Sequence, residues 1–361
     1  MRVKLGDIFE IGSGGTPSKA HPEYYGGNIP WVKTGDLKNE YLYEAEDFIT
    51  EEGLNNSSAK IYEENTVLIA MYGATIGATS ILKMKACTNQ ACAAFRKNEQ
   101  VIPEYLYYFL RSKKEKFAKD GVGGAQPNIS AGYLKKIEME LPSLDEQKVI
   151  VGILDKISDI GCKRRFELQS LDDLIKARFV ELFGDPVLNP FSWEMKRFDE
   201  ICENLDSRRK PISSGDRVEG IYPYYGASGI VDYVEDYIFN EDILLVSEDG
   251  ANLLMRSTPI AFSVSGKVWV NNHAHVVRFD KMSLQKYVEI YFSLIDISDS
   301  ITGSAQPKLN QAKLNAIMLP IPEDMLLDRY CEFLYQVNKS KFSVIKERLW
   351  KRYLGLLRKL Y

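Results

Sequence analysis

Apolar residues recur every three or four positions in two long segments, and this spacing predicts two long helices. Pro142 precedes the first segment, Ser143 and Glu146 match a capping box, and Gly184-Asp185-Pro186 is a typical helix stop. About 38 residues at about 1.5 Å each predict a rod of roughly 55–60 Å. Its apolar positions follow the alternating three–four spacing of a coiled-coil seam: Leu154, Ile157, Leu168, Leu171, Ile175 and Leu182.

The second segment runs from about Met325 to the last residue and has an apolar stripe of its own. A lone helix with such a stripe is poorly stable in water, because its support comes from packing. We therefore predict that the two helices pair as an antiparallel coiled coil. The alternative, in which each helix folds onto its own globular domain, stays open. The positions expected to pair or to dock a partner are Leu154, Ile157, Leu168, Leu171, Ile175, Leu334, Val337, Ile345, Leu349 and Leu356.

Outside these segments, short apolar stretches between turns predict strands at 67–71, 91–95, 243–246, 268–270 and 276–279. Helical patterns at 104–119 and 284–295 interrupt them. Strands and helices mixed in this way, with many loops between them, favour the α+β class over a wound parallel sheet.

The chain also repeats itself. Residues 124–147 align without a gap with 304–327, an offset of 180, and they share a Gln-Pro pair. Further pairs are 5–10 with 198–203, 29–32 with 222–225, 67–77 with 243–253, and 88–96 with 271–279. Because all pairs keep their order, we predict a tandem duplication. The expected domains are 1–143, the first long helix 144–184, a second globular domain 185–322, and the second long helix 323–361.

Composition places the chain among ordinary globular proteins, with 45% hydrophobic and 27% charged residues in 361. There is no basic and apolar leader, and no apolar run reaches the roughly 18 residues of a membrane span. We therefore expect a cytoplasmic protein without a membrane partner. The five cysteines are never spaced as CxxC, which favours buried, reduced thiols over disulfides or zinc.

The net charge is −4, whereas a protein that binds DNA phosphates alone is usually basic. The charge is unevenly distributed, however: 339–359 contains eight basic residues and one acid, and Arg208-Arg209-Lys210 is a second basic cluster. Both clusters could be solvated surface. The overall balance suggests that partner proteins supply much of the phosphate contact.

Several polar loops contain side chains that can contact DNA. Asn or Gln can bond adenine at two points, and Arg or Lys can do so with guanine, each pair discriminating by about 1–3 kcal/mol. For any one of these residues, a turn or a cap is the alternative, and the shared Gln-Pro loops are expected to shape the fold. The DNA-binding candidates are Lys33, Thr34, Asp36, Lys38, Asn39, Gln126, Asn128, Arg208, Arg209, Lys210, Gln306 and Lys308.

Five short motifs are distinctive: GGTPS (14–18), IPWVKTGDL (29–37), LPSLDEQKVIVGILD (141–155), LFGDP (182–186) and YYGASGIVDY (224–233). With them, the chain resembles the specificity subunit of type I restriction–modification enzymes along essentially its whole length. The most specific feature is a proline followed by a Glu-Gln helix start in a duplicated chain. The second copy departs from it, with Pro-Glu-Asp-Met-Leu-Leu at 322–327.

The resemblance implies a bipartite DNA-recognition protein. Each globular half would be a target-recognition domain for one half of a split double-stranded DNA site. The paired helices would fix the spacing and dock two adenine-methyltransferase subunits, and a translocating restriction subunit could complete the complex. The subunit would bind neither ATP nor S-adenosylmethionine, so no cofactor is expected.

Two other classes of function were weighed against the residues. An adenine methyltransferase needs an Asp/Asn-Pro-Pro-Tyr/Phe motif, and Asn189-Pro190-Phe191 lacks the second proline. The glycine-rich stretch 11–15 lacks the Lys-Ser/Thr of a phosphate loop, and His273 with His275 lacks further metal ligands in the sequence. We expect no catalytic residue and no metal. A coiled-coil scaffold that binds only protein remains the alternative; it would show no DNA-dependent change in assembly.

Overall fold

The computed structural model describes residues 1–121, 128–303 and 306–357, with side chains described up to Ser343. The chain divides into two compact units, Met1–Gly161 and Cys162–Tyr361. Both contain mixed helices and sheets, as the α+β prediction required.

The first unit contains short strands, short helices and the beginning of a long helix. Three short 3-10 helices lie at Pro22–Tyr24, Thr34–Asp36 and Gly73–Thr75. Its strands are β1 (Arg2–Lys4), β2 (Ile11–Ser13), β3 (Tyr25–Val32), β4 (Tyr41–Leu42), β5 (Asp47–Ile49), β6 (Ile61–Tyr62), β7 (Val67–Ala70), β8 (Thr79–Leu82), β9 (Ala86–Thr88), β10 (Cys92–Phe95) and β11 (Glu138–Glu140). Its helices are α1 (Leu5–Ile8), α2 (Glu51–Asn55), α3 (Pro103–Ser112), α4 (Lys114–Asp120), α5 (Ala131–Lys135) and α6 (Leu144–Phe183), which continues into the second unit.

The second unit is built in the same way. Its 3-10 helices are Asp206–Arg208 and Ser298–Ser300. Its strands are β12 (Glu194–Arg197), β13 (Glu203–Asn204), β14 (Glu219–Gly226), β15 (Gly229–Val234), β16 (Phe239–Asn240), β17 (Ile243–Ser247), β18 (Ala261–Val264), β19 (Lys267–Val270), β20 (Ala274–Arg278) and β21 (Met318–Ile321). Its further helices are α7 (Phe198–Ile201), α8 (Asn252–Met255), α9 (Met282–Leu294), α10 (Gln311–Asn315) and α11 (Asp324–Leu357).

The sheets of the two units repeat one topology, which confirms the predicted duplication. The order β2-β10-β7-β8 in the first unit, extended by β4, corresponds to β13-β20-β17-β18 in the second. Likewise β5-β3-β9-β6 corresponds to β15-β14-β19-β16, and each of these sheets has one parallel pair, β3 with β9 and β14 with β19. The terminal pairs also share a register, with Val3 opposite Met139 and Lys196 opposite Leu319.

The central strands form the cores. β7, β8, β9 and β10 are buried along their whole length, and so is β17. Continuous apolar runs are typical of strands that are covered on both faces. The short strands predicted from these runs are present with shifts of one or two residues at their ends, whereas the predicted helix 104–119 is divided at Lys113 into α3 and α4.

The start of α6 has the predicted capping box. The carboxylate of Glu146 accepts hydrogen bonds from the backbone N–H and the hydroxyl of Ser143, each at 2.8 Å, and the N–H of Glu146 donates to Ser143 Oγ. The helix ends at Phe183, and Gly184 follows with φ of +82°, the left-handed conformation that favours glycine.

Gln147 explains the Glu-Gln motif at this helix start. Its side chain is fully buried, its amide nitrogen donates to the carbonyls of Gln100 and Pro142 at 2.9 and 3.0 Å, and its oxygen accepts from the N–H of Ile102 at 2.9 Å. One side chain thus satisfies three backbone groups. In the second copy the equivalent residue is Leu327, which is 1% exposed, so apolar packing replaces those hydrogen bonds.

Burial along α6 differs from the predicted seam. Ile157 is 59% exposed and Leu154, Leu168 and Leu171 are half-buried, whereas Ile175 is 6% exposed. Beyond Ile175 the buried residues are Phe179 and Phe183, which the seam omitted. The reason is that this end of α6 packs into the hydrophobic core of the second unit, where every fourth residue faces the same aromatic cluster.

On α11, Leu334 and Val337 are buried in that same core. Ile345, Leu349 and Leu356 lie outside the residues whose side chains are described. The Tyr330 hydroxyl donates to the carbonyl of Ile175 at 3.1 Å, and its ring packs edge-on against Phe179 and Phe183 with centroids 5.8 and 5.2 Å away.

The cysteines are all free thiols, as expected. Cys87 and Cys92 are buried and Cys202 and Cys331 are half-buried, but Cys162 is exposed on α6, so the expectation of burial was wrong for that residue. Burial raises the pKa of the Cys87 thiol to about 11. Among the described helices, none has the length and apolarity needed to cross a bilayer.

Candidate nucleic-acid interface

The loop 33–39 is held by its own side chains. Asp36 is 7% exposed, its carboxylate accepts from the N–H of Lys33 at 2.8 Å, and burial raises the pKa of Asp36. Lys33 forms an ion pair with Asp47, and Lys38 forms one with Glu46 at 3.0 Å. The charges of both lysines are therefore balanced within the unit. Thr34 is half-buried and Asn39 is exposed.

The glycines of the GGTPS motif are needed for close packing. A Cβ on Gly14 would lie 1.8 Å from the carbonyl oxygen of Thr88, and one on Gly15 would lie 2.3 Å from Ser58 Oγ. The indole of Trp31, from the IPWV motif, donates to the carbonyl of Gly15 at 3.0 Å. These two motifs therefore join β2 to β3 and β9, and they stabilise the frame that supports the loops.

The three residues of the Arg208–Lys210 cluster have different roles. Arg208 pairs with Glu241 at 2.7 Å and lies over the ring of Phe239, 4.5 Å from its centroid. Arg209 is only 13% exposed, whereas Lys210 is exposed and has no ion pair among the described residues. The sequence cluster therefore contributes one unneutralised cation, Lys210.

Arg209 belongs to a buried ionic network in the second unit. Its guanidinium donates to Glu248 at 2.6 Å and lies 3.3 Å from the carboxylate of Asp206, and Lys308 pairs with Glu248 at 3.1 Å. His275, 1% exposed, places Nδ1 2.6 Å from Asp206 Oδ2 and Nε2 2.8 Å from the carbonyl of Leu309. Both ring nitrogens of His275 therefore lie within hydrogen-bond distance of an oxygen atom.

The network lowers the pKa values of its two carboxyl groups. Burial alone would raise the pKa of Asp206, but the hydrogen bond and charge of His275 outweigh it and the pKa is lowered. The pKa of Glu248 is also lowered, since Arg209 and Lys308 outweigh burial. Ligand atoms of Asp206, Glu248 and His275 lie within 4.8 Å of one another, as in a metal site, yet Arg209 donates to this group and supplies the positive charge.

The residues that follow the two Gln-Pro pairs occupy equivalent positions in the two units. Gln126 lies outside the described residues, and Asn128 is exposed. In the second unit Gln306 and Lys308 are exposed. In each unit, a backbone hydrogen bond joins this segment to a residue that follows a central strand. The N–H of Ile129 donates to the carbonyl of Met71 at 3.0 Å, and the N–H of Leu309 donates to the carbonyl of Glu248 at 2.8 Å.

The sequence analysis missed a group of lysines on α4. Lys114, Lys116 and Lys119 are exposed, and none of them forms an ion pair among the residues that the structure describes. The run KKEKFAK was a visible signal in the sequence. Because this run lies in the predicted helix 104–119, its lysines were not among the predicted DNA-binding residues.

Residues 1–167 and 190–346 each match the model of the type I restriction modification DNA specificity domain. The chain belongs to this family. Together the two matches cover most of the chain, and each contains one set of the repeated sheets. The resemblance inferred from the motifs is therefore confirmed, and the chain contains two specificity domains.

Curated relatives match over nearly the whole chain. The MjaIX specificity subunit of Methanocaldococcus jannaschii is 27% identical over 95% of this chain and 89% of the relative. The EcoprrI specificity subunit of Escherichia coli is 24% identical over 89% of this chain and 83% of the relative. Both are specificity subunits of type I restriction enzymes.

Solved structures show the same fold. The S subunit of a type I restriction–modification system from M. genitalium aligns with a TM-score of 0.57 over 100% of this chain and 94% of its own, at 15% identity. A structure from work on assembly and conformational transition of the type I system aligns with a TM-score of 0.58 over 98% and 95%, at 14% identity. At such identities the likeness concerns the fold.

Proposed function

We propose that this chain is the DNA sequence-recognition subunit of a type I restriction–modification complex. Each unit would recognise one half of a bipartite DNA site, and the chain itself would catalyse no step. The observation that supports this most is the presence of two specificity domains with the same strand order in one chain. Their loops differ in sequence, as expected for two different half-sites.

The long helices would set the spacing between the half-sites. A helix of 40 residues such as α6 is about 60 Å long at about 1.5 Å per residue. We infer antiparallel pairing with α11 from the order of contacts: Tyr330 meets Phe179, and Lys341, three helical turns further on, pairs with Asp172, which lies earlier in α6. A length above one DNA turn of about 34–36 Å would allow a gapped site.

Partner subunits would dock on the helices. Apolar side chains are exposed along the first half of α6, with Val149 at 62%, Ile153 at 45% and Ile157 at 59%. Exposed apolar surface of this extent is typical of protein interaction sites. We propose two adenine-methyltransferase subunits as the occupants and a restriction subunit as a further partner. The net charge of −4 is compatible with this, because the partners would supply phosphate contacts.

We propose no catalytic residue, metal or cofactor for the chain. The cluster with metal-like spacing, Asp206, Glu248 and His275, is neutralised by Arg209 and Lys308. ATP and S-adenosylmethionine would be bound by the partner subunits. Within the complex, the chain would act through binding alone.

The test is to produce the chain together with the methyltransferase subunit of its own system and to map N6-methyladenine by sequencing. We expect a split motif with a fixed gap that is methylated only when this chain is present. Methylation independent of the chain would contradict the proposal. Failure to form a complex would favour the protein scaffold instead.

A further inference from the structure

In each unit, two loops meet beside a fully buried strand. The first follows β7 or β17, and the second is the described segment between the Gln-Pro pair and α5 or α10, which contains Asn128 or Lys308. In the first unit Tyr72 and Asn128 form an isolated antiparallel bridge, and in the second unit Asp249 and Lys308 form the equivalent one. We call the side chains at this meeting point the reading edge: Tyr72 and Asn128 in the first unit, and Asp249, His273 and Lys308 in the second.

The backbone of the reading edge is the same in both units, while its side chains differ. Asn128 and Lys308 are related by the offset of 180 that aligns residues 124–147 with 304–327. Each of them forms its bridge with a residue just after a central strand, Tyr72 after β7 and Asp249 after β17. The first unit has the neutral pair Tyr72 and Asn128 at this place, and the second unit has the acidic Asp249 and the basic Lys308. Within a duplicated chain, a retained frame with changed exposed chemistry is expected where two domains recognise different targets.

These side chains are accessible to a large ligand. Tyr72 is 43% exposed and Asn128 is exposed. The side chains of His273 and Lys308 are 52% and 51% exposed, and that of Asp249 is 32% exposed. In the loop 33–39, in contrast, Asp36 is buried.

The chemistry of the reading edge suits base edges. Asn128 can bond adenine at two points, and the ring of Tyr72 can pack on a thymine methyl group. In the second unit, Asp249 Oδ1 and Oδ2 each lie 2.9 Å from His273 Nδ1, which orients the carboxylate. A carboxylate accepts from the amino group of cytosine. Lys308 pairs with Glu248 at 3.1 Å, but its side chain is 51% exposed and can also donate to guanine.

Unneutralised cations lie next to the edge in the first unit. Gly77 closes the same loop as Tyr72, and a Cβ there would lie 3.0 Å from Cγ of Lys114. α4 therefore packs against this loop, and its Lys114, Lys116 and Lys119 have no ion pair among the described residues. Cations beside a base-reading surface are expected to contact phosphates and to fix its position on the duplex.

We propose that the reading edge is where each unit contacts the bases of its half-site, with the α4 lysines on the DNA backbone in the first unit. This inference rests on the proposed function and adds the residues that determine specificity.

The first experiment tests the second unit in the assembled complex with its methyltransferase subunits. The double variant Asp249→Ala/His273→Ala should lower the preference for the correct base at one or more positions of one half-site by roughly 10- to 100-fold in methylation maps. The other half-site should be unchanged. His273→Gln alone, which keeps a polar side chain beside Asp249, should give a smaller change in the same half-site. Glu235→Ala, exposed in the same unit, is the matched control and should change neither half.

The reciprocal variant, Tyr72→Ala/Asn128→Ala, should relax only the other half-site. Thermal melting should show that each variant is folded. If the wild-type complex methylates a split motif but both double variants leave both halves intact, the reading edge is wrong and the proposed function stands. If the wild-type complex shows no sequence preference, the proposed function itself fails.

The lysines require a different readout, because phosphate binding affects affinity without changing the recognised sequence. Lys116→Ala/Lys119→Ala should reduce the slope of log affinity against log salt by about 0.9 for each phosphate that is no longer neutralised. Lys33→Ala/Lys38→Ala is the matched control, since acids already neutralise those lysines. Equal slopes for the α4 variant and wild type would overturn the phosphate assignment.

Discussion

Single side chains account for several of the sequence motifs. Gln147 satisfies three backbone groups, and the network around Asp206 joins charges from four separate stretches of the second unit. In both cases a polar group is buried with its partners in place, because an unpaired one would be costly. Substitution of one of these buried polar side chains should therefore lower the free energy of unfolding, because its partners are left unpaired.

Gln147→Leu tests this directly, since leucine is the residue at the equivalent position 327. We expect a loss of about 3 kcal/mol or more in the free energy of unfolding of the first unit, because each of the three backbone groups left unpaired costs about 1–3 kcal/mol. Urea denaturation followed by circular dichroism provides the measurement. Gln169→Leu, exposed on the same helix, is the control. Equal losses for both variants would contradict the role of Gln147.

The network should make the stability of the second unit depend on pH. A carboxyl whose pKa is lowered in the folded state stabilises it fully above the unfolded pKa, about 3.9 for Asp, and this contribution is lost as the pH falls through the folded value. Asp206→Asn should cost about 3 kcal/mol at pH 7, with the difference from wild type narrowing below about pH 4. Urea midpoints at pH 7 and pH 3 measure this. Asp280→Asn, exposed in the same unit, should have no such effect.

At the scale of elements, α6 is held at both ends by different interactions. Near its start, Gln147 and a 2.7 Å hydrogen bond from the Tyr108 hydroxyl to Asp155 attach it to the first unit. Near its end, Phe179 and Phe183 pack into the core of the second unit. Between these regions its side chains are largely exposed. The ends are therefore fixed by the globular units, and the middle has surface to offer to partners.

Phe179→Ala measures the attachment at the second end. The Phe179 ring is fully buried, stacked on Tyr287 at 5.1 Å and edge-on to Tyr330 at 5.8 Å. Its removal leaves a cavity, so we expect a loss of about 3–5 kcal/mol in the unfolding of the second unit. Phe166→Ala on the same helix removes a ring that is 76% exposed and should cost less than about 0.5 kcal/mol. Calorimetry of both variants measures the two losses in unfolding free energy and shows whether the loss depends on burial of the ring.

Antiparallel pairing of the long helices can be tested by cross-linking in a Cys162→Ser background. The pair Asp172→Cys with Lys341→Cys replaces an ion pair and should form a disulfide under mild oxidation. Asp172→Cys with Met325→Cys, at the other end of α11, should not. A cross-link only in the Met325 variant would contradict the antiparallel order, and no cross-link in either variant would favour helices that fold separately onto their own domains.

At the scale of the whole molecule, duplication followed by divergence explains how one chain can recognise two targets. The frames retained their strand order and terminal register, while the loops at the reading edge changed from neutral to ionic. We expect recognition to be modular, because each unit contains its own set of sheets and its own reading edge.

Exchange of residues 1–143 for the same region of a related specificity subunit tests this modularity. One half of the methylated motif should change, and the other half and the gap should remain, because both long helices are retained. Methylation mapping of the hybrid complex gives the answer, with an exchange of 185–322 as the reciprocal control. A change in both halves after either exchange would contradict the model of two independent recognition units.

The duplication, the two long helices, the cap and the stop of the first of them, and the family could be predicted from the sequence, because these depend on local periodicity and on short motifs of fixed spacing. The sequence also predicted most of the central strands. Which charged residues are free to bind a ligand, in contrast, depends on the tertiary fold. Lys33, Lys38, Arg208 and Arg209 are paired with acids that are up to 39 positions distant in sequence, whereas the α4 lysines have no ion pair among the described residues. The sequence shows that a cation is present, but whether it can bind a phosphate depends on the acid that the fold places beside it.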